Sequence, residues 1–402
     1  NVWAAHGLDA LSADESVAFC EKLFAPYLGG HPLMTNARHL RGSAWLNFHL
    51  LNCHQSSLHN CHNHVLLMRH PVHTAHFAIG SGTKLAIEDA IELTRQFLEQ
   101  GATADKIPQV LQRYQELRNV DVLRLQNAAW NAMAWFEVVG ERYADTLPPE
   151  QFMYSMLTRS QRISHENLRL RDAQWLGGYE RWFAEQAGVT VPADKPAPPP
   201  MFTPYTVRGL TLKNRVVVSP MAQYSAVDGV AGDYHLMHLG ARAMGGAAMV
   251  FAEMTCVSAQ GRITPGCPGM YTPEHKRAWK RITDWIHANT DAKFAMQIGH
   301  AGAKASTRLA WEGIDQPLVD ANWPIVSASE QQYLPGVSQT AKAMTLEDMA
   351  QVKADFVRSA QDAADVGVDW LELHCAHGYL LSSFISPLTN QRTDAYGGSL
   401  EN

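Results

Sequence analysis

Five prolines fall within nine residues, at Pro192, Pro196, Pro198, Pro199 and Pro200. Each fixes φ and removes a backbone donor, so neither a helix nor a central strand can run through, and the stretch reads as a semi-rigid extended spacer. The chain therefore divides into residues 1–190, a linker at 191–200 and residues 201–402, and each half is long enough for a packed domain. The halves differ in rhythm. Upstream, residues 13–28 read as a helix, and residues 83–100 as a stronger one with Leu85, Ile87, Ala90, Ile91, Leu93 and Phe97 apolar and Gly101 ending it. Residues 103–188 continue mostly helical.

Downstream, strands at 215–219, 247–252, 293–298 and 369–374 alternate with helices. One helix covers 234–244. The next starts at Thr272-Pro273-Glu274, with proline at its first position, and turns Trp279, Ile282, Trp285 and Ile286 inward. A third is capped by Thr345-Leu346-Glu347-Asp348, runs to about Val366, and turns Met349, Val352 and Phe356 inward. This βα repeat predicts an α/β fold with a parallel sheet. Four units are the first half of a TIM (β/α)8 barrel, a fold whose chemistry sits where the strands end.

Composition narrows the function class. Lys+Arg 33 against Asp+Glu 39 gives a net charge of -6 with no basic cluster, so neither nucleic acid nor an anionic membrane finds an electrostatic footprint. The six cysteines form no CxxC pair, and no signal peptide or apolar run approaches the roughly 18 residues of a membrane span. A cytoplasmic protein acting on a small molecule is expected. Residue 1 is Asn, and the chain stops at Ser399-Leu400-Glu401-Asn402, directly after a motif; a piece of something longer is expected.

Polar groups converge on the strand ends: Ser219-Pro220-Met221-Ala222-Gln223-Tyr224, then Glu253-Met254-Thr255, then Gln297 and His300, then His374-Cys375-Ala376-His377-Gly378-Tyr379. Two histidines three apart can present N–H donors to a carbonyl oxygen, and a nearby tyrosine can donate a proton. From spacing alone, one histidine as a satisfied core residue and Tyr379 as packing remain open.

Residues 201–402 resemble the first half of an Old Yellow Enzyme-type flavoprotein, close to the bacterial NADPH dehydrogenase and 2,4-dienoyl-CoA reductase branch. Five segments carry this resemblance in order: Leu212-Lys213-Asn214-Arg215-Val216-Val217-Val218-Ser219-Pro220-Met221, Ala259-Gln260-Gly261-Arg262-Ile263, Gln297-Ile298-Gly299-His300-Ala301-Gly302, the His374 to Tyr379 motif, and Ser386-Pro387-Leu388-Thr389-Asn390-Gln391-Arg392-Thr393-Asp394-Ala395-Tyr396-Gly397-Gly398-Ser399. The resemblance implies FMN as cofactor, with Ser219, Pro220, Met221, the backbone near Met254, and Gln297 around the isoalloxazine ring. It implies His374 and His377 on the substrate carbonyl oxygen, Tyr379 as proton donor and Tyr224 as pocket lining. Two departures stand out. Ala222 occupies the position where this branch often has a redox-tuning cysteine, and the family's phosphate groove and a flavin-contacting arginine lie on strands beyond residue 402. A half barrel leaves parallel edges open.

In the first half, His73-Thr74-Ala75-His76-Phe77-Ala78-Ile79-Gly80-Ser81-Gly82-Thr83-Lys84 sets a small-residue turn at a helix start. Free N–H groups there can meet an anion or a polar ring edge, although from the pattern alone a plain loop entering a helix is the better reading. The longer string, with Glu21-Lys22-Leu23-Phe24-Ala25-Pro26 and His39-Leu40-Arg41-Gly42-Ser43-Ala44-Trp45, resembles the FAD domain of flavoprotein aromatic hydroxylases. In bifunctional salicylyl-CoA 5-hydroxylase / anthraniloyl-CoA (2-aminobenzoyl-CoA) monooxygenase-reductase proteins such a domain precedes an Old Yellow Enzyme-like one. That implies FAD near Gly80 and Gly82, with NAD(P)H as reductant.

The family's Gly-Asp-Ala-Ala is replaced by Met68-Arg69-His70-Pro71-Val72, and the Rossmann Gly-x-Gly-x-x-Gly is absent from the sequence. Across residues 42–83 the only Lys, Arg, Asp or Glu is Arg69, whereas eight of the nineteen histidines lie between His49 and His76. A stretch of about residues 48–72 out of register with that family, as a compensated frameshift would produce, is expected; an intact reading frame on resequencing would remove it. The rival is a zinc tract of Cys53, His54, His59, Cys61 and His62, whose spacings match no recognised zinc module, so no metal is expected.

Two enzyme readings follow. In the first, the parent protein hydroxylates an aromatic acyl-CoA at FAD with NAD(P)H and O₂ and reduces the resulting enone at FMN. In the second, it is an NADPH dehydrogenase or ene-reductase whose helical extension is structural or a homodimer surface. A third reading is an incomplete, inactive product that holds no flavin.

Overall fold

In the computed structural model, residues 7, 8, 10–33 and 76–398 are described. The expectations at residues 34–75, the zinc tract and the out-of-register stretch, lie outside the described residues. Two compact units, Asn1–Leu170 and Arg171–Asn402, make up the chain. The division falls before the helix Ala173–Gln186 rather than in the proline run. Arg181 of that helix donates to the carbonyls of Val191, Pro192 and Lys195, and Phe183 packs under the Arg215 guanidinium at 4.9 Å. The helix and the proline segment thus fold against each other.

The first unit is helical, with Ala13–Leu28, Gly82–Gln100, Ile107–Glu137 and Pro149–Thr158 as its main elements. The helix Gly82–Gln100 does not bury the whole apolar set read from its sequence. Leu85 is buried, but the buried line continues through Asp89 and Gln96, while Ile87 and Ile91 are exposed. Arg118 of the long helix fixes this rotation, its Nε donating to Asp89 Oδ1 at 2.9 Å and its Nη2 to Glu88 Oε2 at 3.1 Å.

In the second unit, β1 (Tyr205–Val207) and β2 (Leu210–Leu212) form an antiparallel hairpin. Next come β3 (Val217–Val218), β4 (Met249–Cys256) and β5 (Lys293–Gly299). A small sheet follows, of β6 (Val326–Ser327), β7 (Gln331–Gln332) and β8 (Thr340–Ala343) in the order β6-β8-β7. The last strand is β9 (Trp370–Leu373). The main sheet has the order β3-β4-β5-β9 and every pairing is parallel. Helices Asp233–Met244, Pro273–Asn289 and Leu346–Asp365 connect the strands. Sequential parallel strands joined through helices are how a (β/α)8 barrel begins.

The strand periodicity sorts the two faces. Val250, Ala252, Phe294, Met296 and Ile298 pack with Trp279, Ile282 and Ile286 of the helix layer. Met249, Phe251, Ala295 and Trp370 form the opposite face, closed at its base by Leu210 and Leu212 of the hairpin. Two expectations change. The first strand is shorter than residues 215–219, because Arg215 leaves the ladder to stack on the Phe183 and Tyr205 rings and the Asn214 side chain takes the Val216 N–H. Met349, Val352 and Phe356 are only half-buried; they line an apolar cavity of about 1140 Å³ with Leu373 and Phe384.

Candidate active site

The C-terminal ends of β3, β4, β5 and β9 meet at one rim. The ladder between β4 and β5 slips between Ala252 and Thr255, and such a bulge re-aims the side chains within it, here Glu253 and Met254. On β5 only a glycine fits at position 299. A Cβ there would lie 2.7 Å from Met254 Sδ and 3.2 Å from His374 Cβ, so Gly299 lets the ends of β4 and β9 close over β5.

His374, His377 and Tyr379 come together after β9. The Tyr379 ring lies 4.7 Å from that of His374 and 5.9 Å from that of His377. His374 Nδ1 accepts the Ala376 N–H at 3.2 Å, which leaves the proton on Nε2. That N–H faces His377 Nδ1 at 3.1 Å. In this arrangement His374 therefore donates to His377, and the outward donor is His377 Nε2; the pair is not splayed to present two N–H groups to one oxygen. His377 has φ 59, a left-handed conformation that a residue with a side chain adopts at a cost and that clusters at functional sites.

Burial, and then the neighbouring His377, hold the His374 pKa below the ordinary imidazole value, so His374 is neutral at pH 7. Burial, with Tyr224 nearby, raises the Tyr379 phenol, and burial pushes Tyr224 up to about 12. Both phenols stay protonated at neutral pH. His300, fully buried behind them, drops to about 4 through desolvation, and its Nδ1 accepts the Gly302 N–H.

Ser219, Met221 and Ala222 are exposed along the segment after β3, and Pro220 is half-buried. Gln297 is half-buried on a strand that is otherwise almost wholly buried, and its Nε2 donates to Glu372 Oε1 on β9. A carboxamide that donates and accepts at the end of β5, with a serine hydroxyl and exposed backbone after β3 on the same rim, suits the alternating N–H and C=O edge of a flavin ring. Gly80 and Gly82 belong to the other unit. Gly80 has φ 67 and ends the turn Phe77–Ile79, and Ser81 makes no side-chain cap to the helix that follows.

The excursion between β5 and Leu346–Asp365 brings groups that sequence reasoning did not find. Lys304 Nζ lies 4.0 Å from the Tyr333 ring centroid and 6.0 Å from that of Tyr379. The Tyr333 hydroxyl donates to Asp315 at 3.5 Å, and Trp311 meets the Tyr224 ring edge-on at 6.4 Å. Lys304 and Trp311 sit in single helical turns, Gly302–Lys304 and Ala310–Gly313, and Asp315 and Tyr333 in the loops between elements, so no long periodicity marks them.

The NADH:flavin oxidoreductase / NADH oxidase family matches residues 200–402. NADH:flavin oxidoreductase FG08077 of Gibberella zeae is 43% identical over 206 residues, which are 50% of this chain and 50% of that protein. The NADPH dehydrogenase of Halalkalibacterium halodurans is 40% identical over 204 residues, 50% of this chain and 55% of that protein. Among solved structures, morphinone reductase in complex with tetrahydroNAD has a TM-score of 0.45 at 27% identity, over 51% of this chain and 57% of that one. The chain spans about half the length of the curated relatives it matches. Through its second unit, which carries the parallel sheet and the His374, His377 and Tyr379 cluster, this chain belongs to the NADH:flavin oxidoreductase / NADH oxidase family.

Proposed function

We propose that the rim at residues 219–379 belongs to an ene-reductase of the Old Yellow Enzyme type, which reduces the C=C bond of an α,β-unsaturated carbonyl compound with FMN and NAD(P)H. The observation that carries this reading is the clustering of a neutral His374, His377 and a protonated Tyr379 at the end of β9. Ser219, Pro220, Met221, the backbone at Met254, and Gln297 would hold the flavin ring. When bound, FMN supplies the hydride, taken from NAD(P)H, that adds to the substrate β-carbon. His377, released from His374 by a small rotation, joins it on the carbonyl oxygen, where their N–H groups stabilise the negative charge that develops. Tyr379 then gives its proton to the α-carbon. Tyr224 closes the side of the pocket.

A finer reading extends this to a parent that hydroxylates an aromatic acyl-CoA at FAD and delivers the enone to this site. What favours it is the start of the helix Gly82–Gln100, which lacks a side-chain cap and follows a left-handed Gly80; FAD would meet Gly80 and Gly82. The helical unit as a homodimer surface and a cytoplasmic location complete the proposal. The test is to purify the chain, release any flavin and chromatograph it, then follow NAD(P)H oxidation with a cyclic enone. FMN with enone reduction is the expected outcome. FAD as well, with oxygen uptake on an aromatic CoA thioester, would favour the bifunctional parent, and protein that takes up no FMN would overturn the site assignment.

A further inference from the structure

Glu253 is a buried carboxylate that the reaction above does not use. It lies in the β4 bulge, 4% exposed, and its Oε2 accepts two backbone N–H groups of the segment after β3, from Gln223 at 2.8 Å and Tyr224 at 3.3 Å. Its other oxygen faces His235 Nε2 at 3.2 Å. His235 Nδ1 accepts the Gly232 N–H at 3.2 Å, so the ring proton sits on Nε2, close to the carboxylate but off the line of a hydrogen bond, and neither Nε2 nor Oε1 has another hydrogen-bond partner. Both side chains are nearly inaccessible to water, and a carboxylate in such a place persists only when donors surround it.

The residue so held is strained. Tyr224 has φ 50, and a bulky side chain does not choose the left-handed region unaided. Gly266 adds a second restraint, since a Cβ there would lie 2.3 Å from the Tyr224 carbonyl oxygen. A third comes from the residue before His235: the Tyr234 hydroxyl donates to Gln223 Oε1 at 2.8 Å, and Gln223 Nε2 donates to the Met221 carbonyl at 2.9 Å. One helix start and one strand bulge thereby fix the backbone that carries Met221 and Tyr224.

We infer that Glu253, seated by His235, is a positioning residue that clamps the segment 219–224 into the shape that receives the flavin and sets Tyr224 against the pocket. The inference rests on the flavin reading above for its purpose, but not for its geometry. Neither residue touches substrate or cofactor; they act through the amides of Gln223 and Tyr224.

The test is amide hydrogen exchange on the full chain, read peptide by peptide, with FMN titration by fluorescence quenching. In Glu253→Gln, exchange across residues 219–226 is expected to rise about tenfold or more, while β5 and the helix Pro273–Asn289 keep wild-type protection. FMN affinity should fall about tenfold with it. His235→Leu should match both effects. His235→Gln, whose amide N–H can still reach the carboxylate, should stay within about twofold of wild type. Unchanged exchange at 219–226 in Glu253→Gln would overturn the clamp, as would a uniform rise across all peptides, the mark of a merely structural role. Local loosening with unchanged FMN affinity would overturn its link to the cofactor. Wild-type protein that binds no FMN would sink the cofactor reading, and the exchange data alone would then decide the clamp.

Discussion

In the unit that carries the parallel sheet, Trp279, Ile282, Ile286, Phe294 and Met296 are fully buried against one another. In the helical unit, the inner face of Gly82–Gln100 holds Asp89 and Gln96, while Ile87, Ile91 and Leu98 face outward. The first arrangement gains from area removed from water and packing density, terms that need no particular partner. The second depends on Arg118 meeting Asp89, and a buried charge is tolerable only while its counter-charge stays in place. The units should therefore fail in different ways when single side chains are removed.

The largest effect is expected in the sheet unit. Trp279→Ala deletes a fully buried ring that also donates to the Gly269 carbonyl at 3.0 Å, and should lower the unfolding free energy in urea by about 4 kcal/mol. A loss below about 1 kcal/mol would mean that this core relaxes freely and that its packing density is not what holds the sheet unit together. Arg118→Met comes next, at about 3 kcal/mol, because it removes the guanidinium that faces the buried Asp89 carboxylate. Pairing it with Asp89→Leu should restore most of the loss, since an apolar pair of similar volume replaces the ion pair. No compensating second change is expected to rescue Trp279→Ala.

The same contrast governs what could be read without coordinates. Downstream of residue 200, Thr272-Pro273 and Thr345 start helices where the sequence places them, and the motif after β9 brings His374, His377 and Tyr379 together. Caps and period-3.6 burial act locally, and one face of each helix has a sheet to meet. The Glu253 clamp was hidden because it joins residues about thirty positions apart through a bulge, and a bulge shifts register without leaving a mark in the hydrophobic pattern. Upstream, the helix Gly82–Gln100 was legible, but its rotation was not: the apolar count favoured Ile87 and Ile91, and one distant arginine overrode it. Nothing within nineteen residues of helix announces a partner at position 118.

Acid should separate the units as well. Burial lowers the His300 pKa to about 4 in the folded chain, against 6.5 for a free imidazole side chain. Between these values the unfolded chain binds the extra proton, so stability falls as pH is lowered through the window, by roughly 2–3 kcal/mol once pH is near 4. The lowered His374 acts in the same sense. In the helical unit the carboxylates that move are Glu88, lowered from 4.5 by its bond to Lys84 and then by Arg118, and Glu15, lowered by the Ser12 N–H and hydroxyl; their contribution is intact above 4.5 and lost only as pH falls below. Amide exchange resolved by unit should show the sheet unit loosening from pH 6.5 downward and the helical unit only below about 4.5. His300→Asn, which keeps an acceptor for the Gly302 N–H, should flatten the first decline, and an unflattened profile would assign it elsewhere.

The smallest expected difference concerns helix starts. Thr345 closes a capping box with Asp348, its hydroxyl accepting the Asp348 N–H at 3.1 Å while the Asp348 carboxylate takes the Thr345 N–H at 3.0 Å. Ser81 stands at the corresponding place before Gly82–Gln100 and makes no such bond, its hydroxyl donating instead to the Ile79 carbonyl at 3.4 Å. Thr345→Ala should therefore cost about 1 kcal/mol, whereas Ser81→Ala should fall within about 0.5 kcal/mol of wild type. If Ser81→Ala proves as costly as Thr345→Ala, the start of Gly82–Gln100 is closed in solution. Its amides are then not free for an anion or a ring edge, and the case for a cofactor beside Gly80 and Gly82 loses its physical basis.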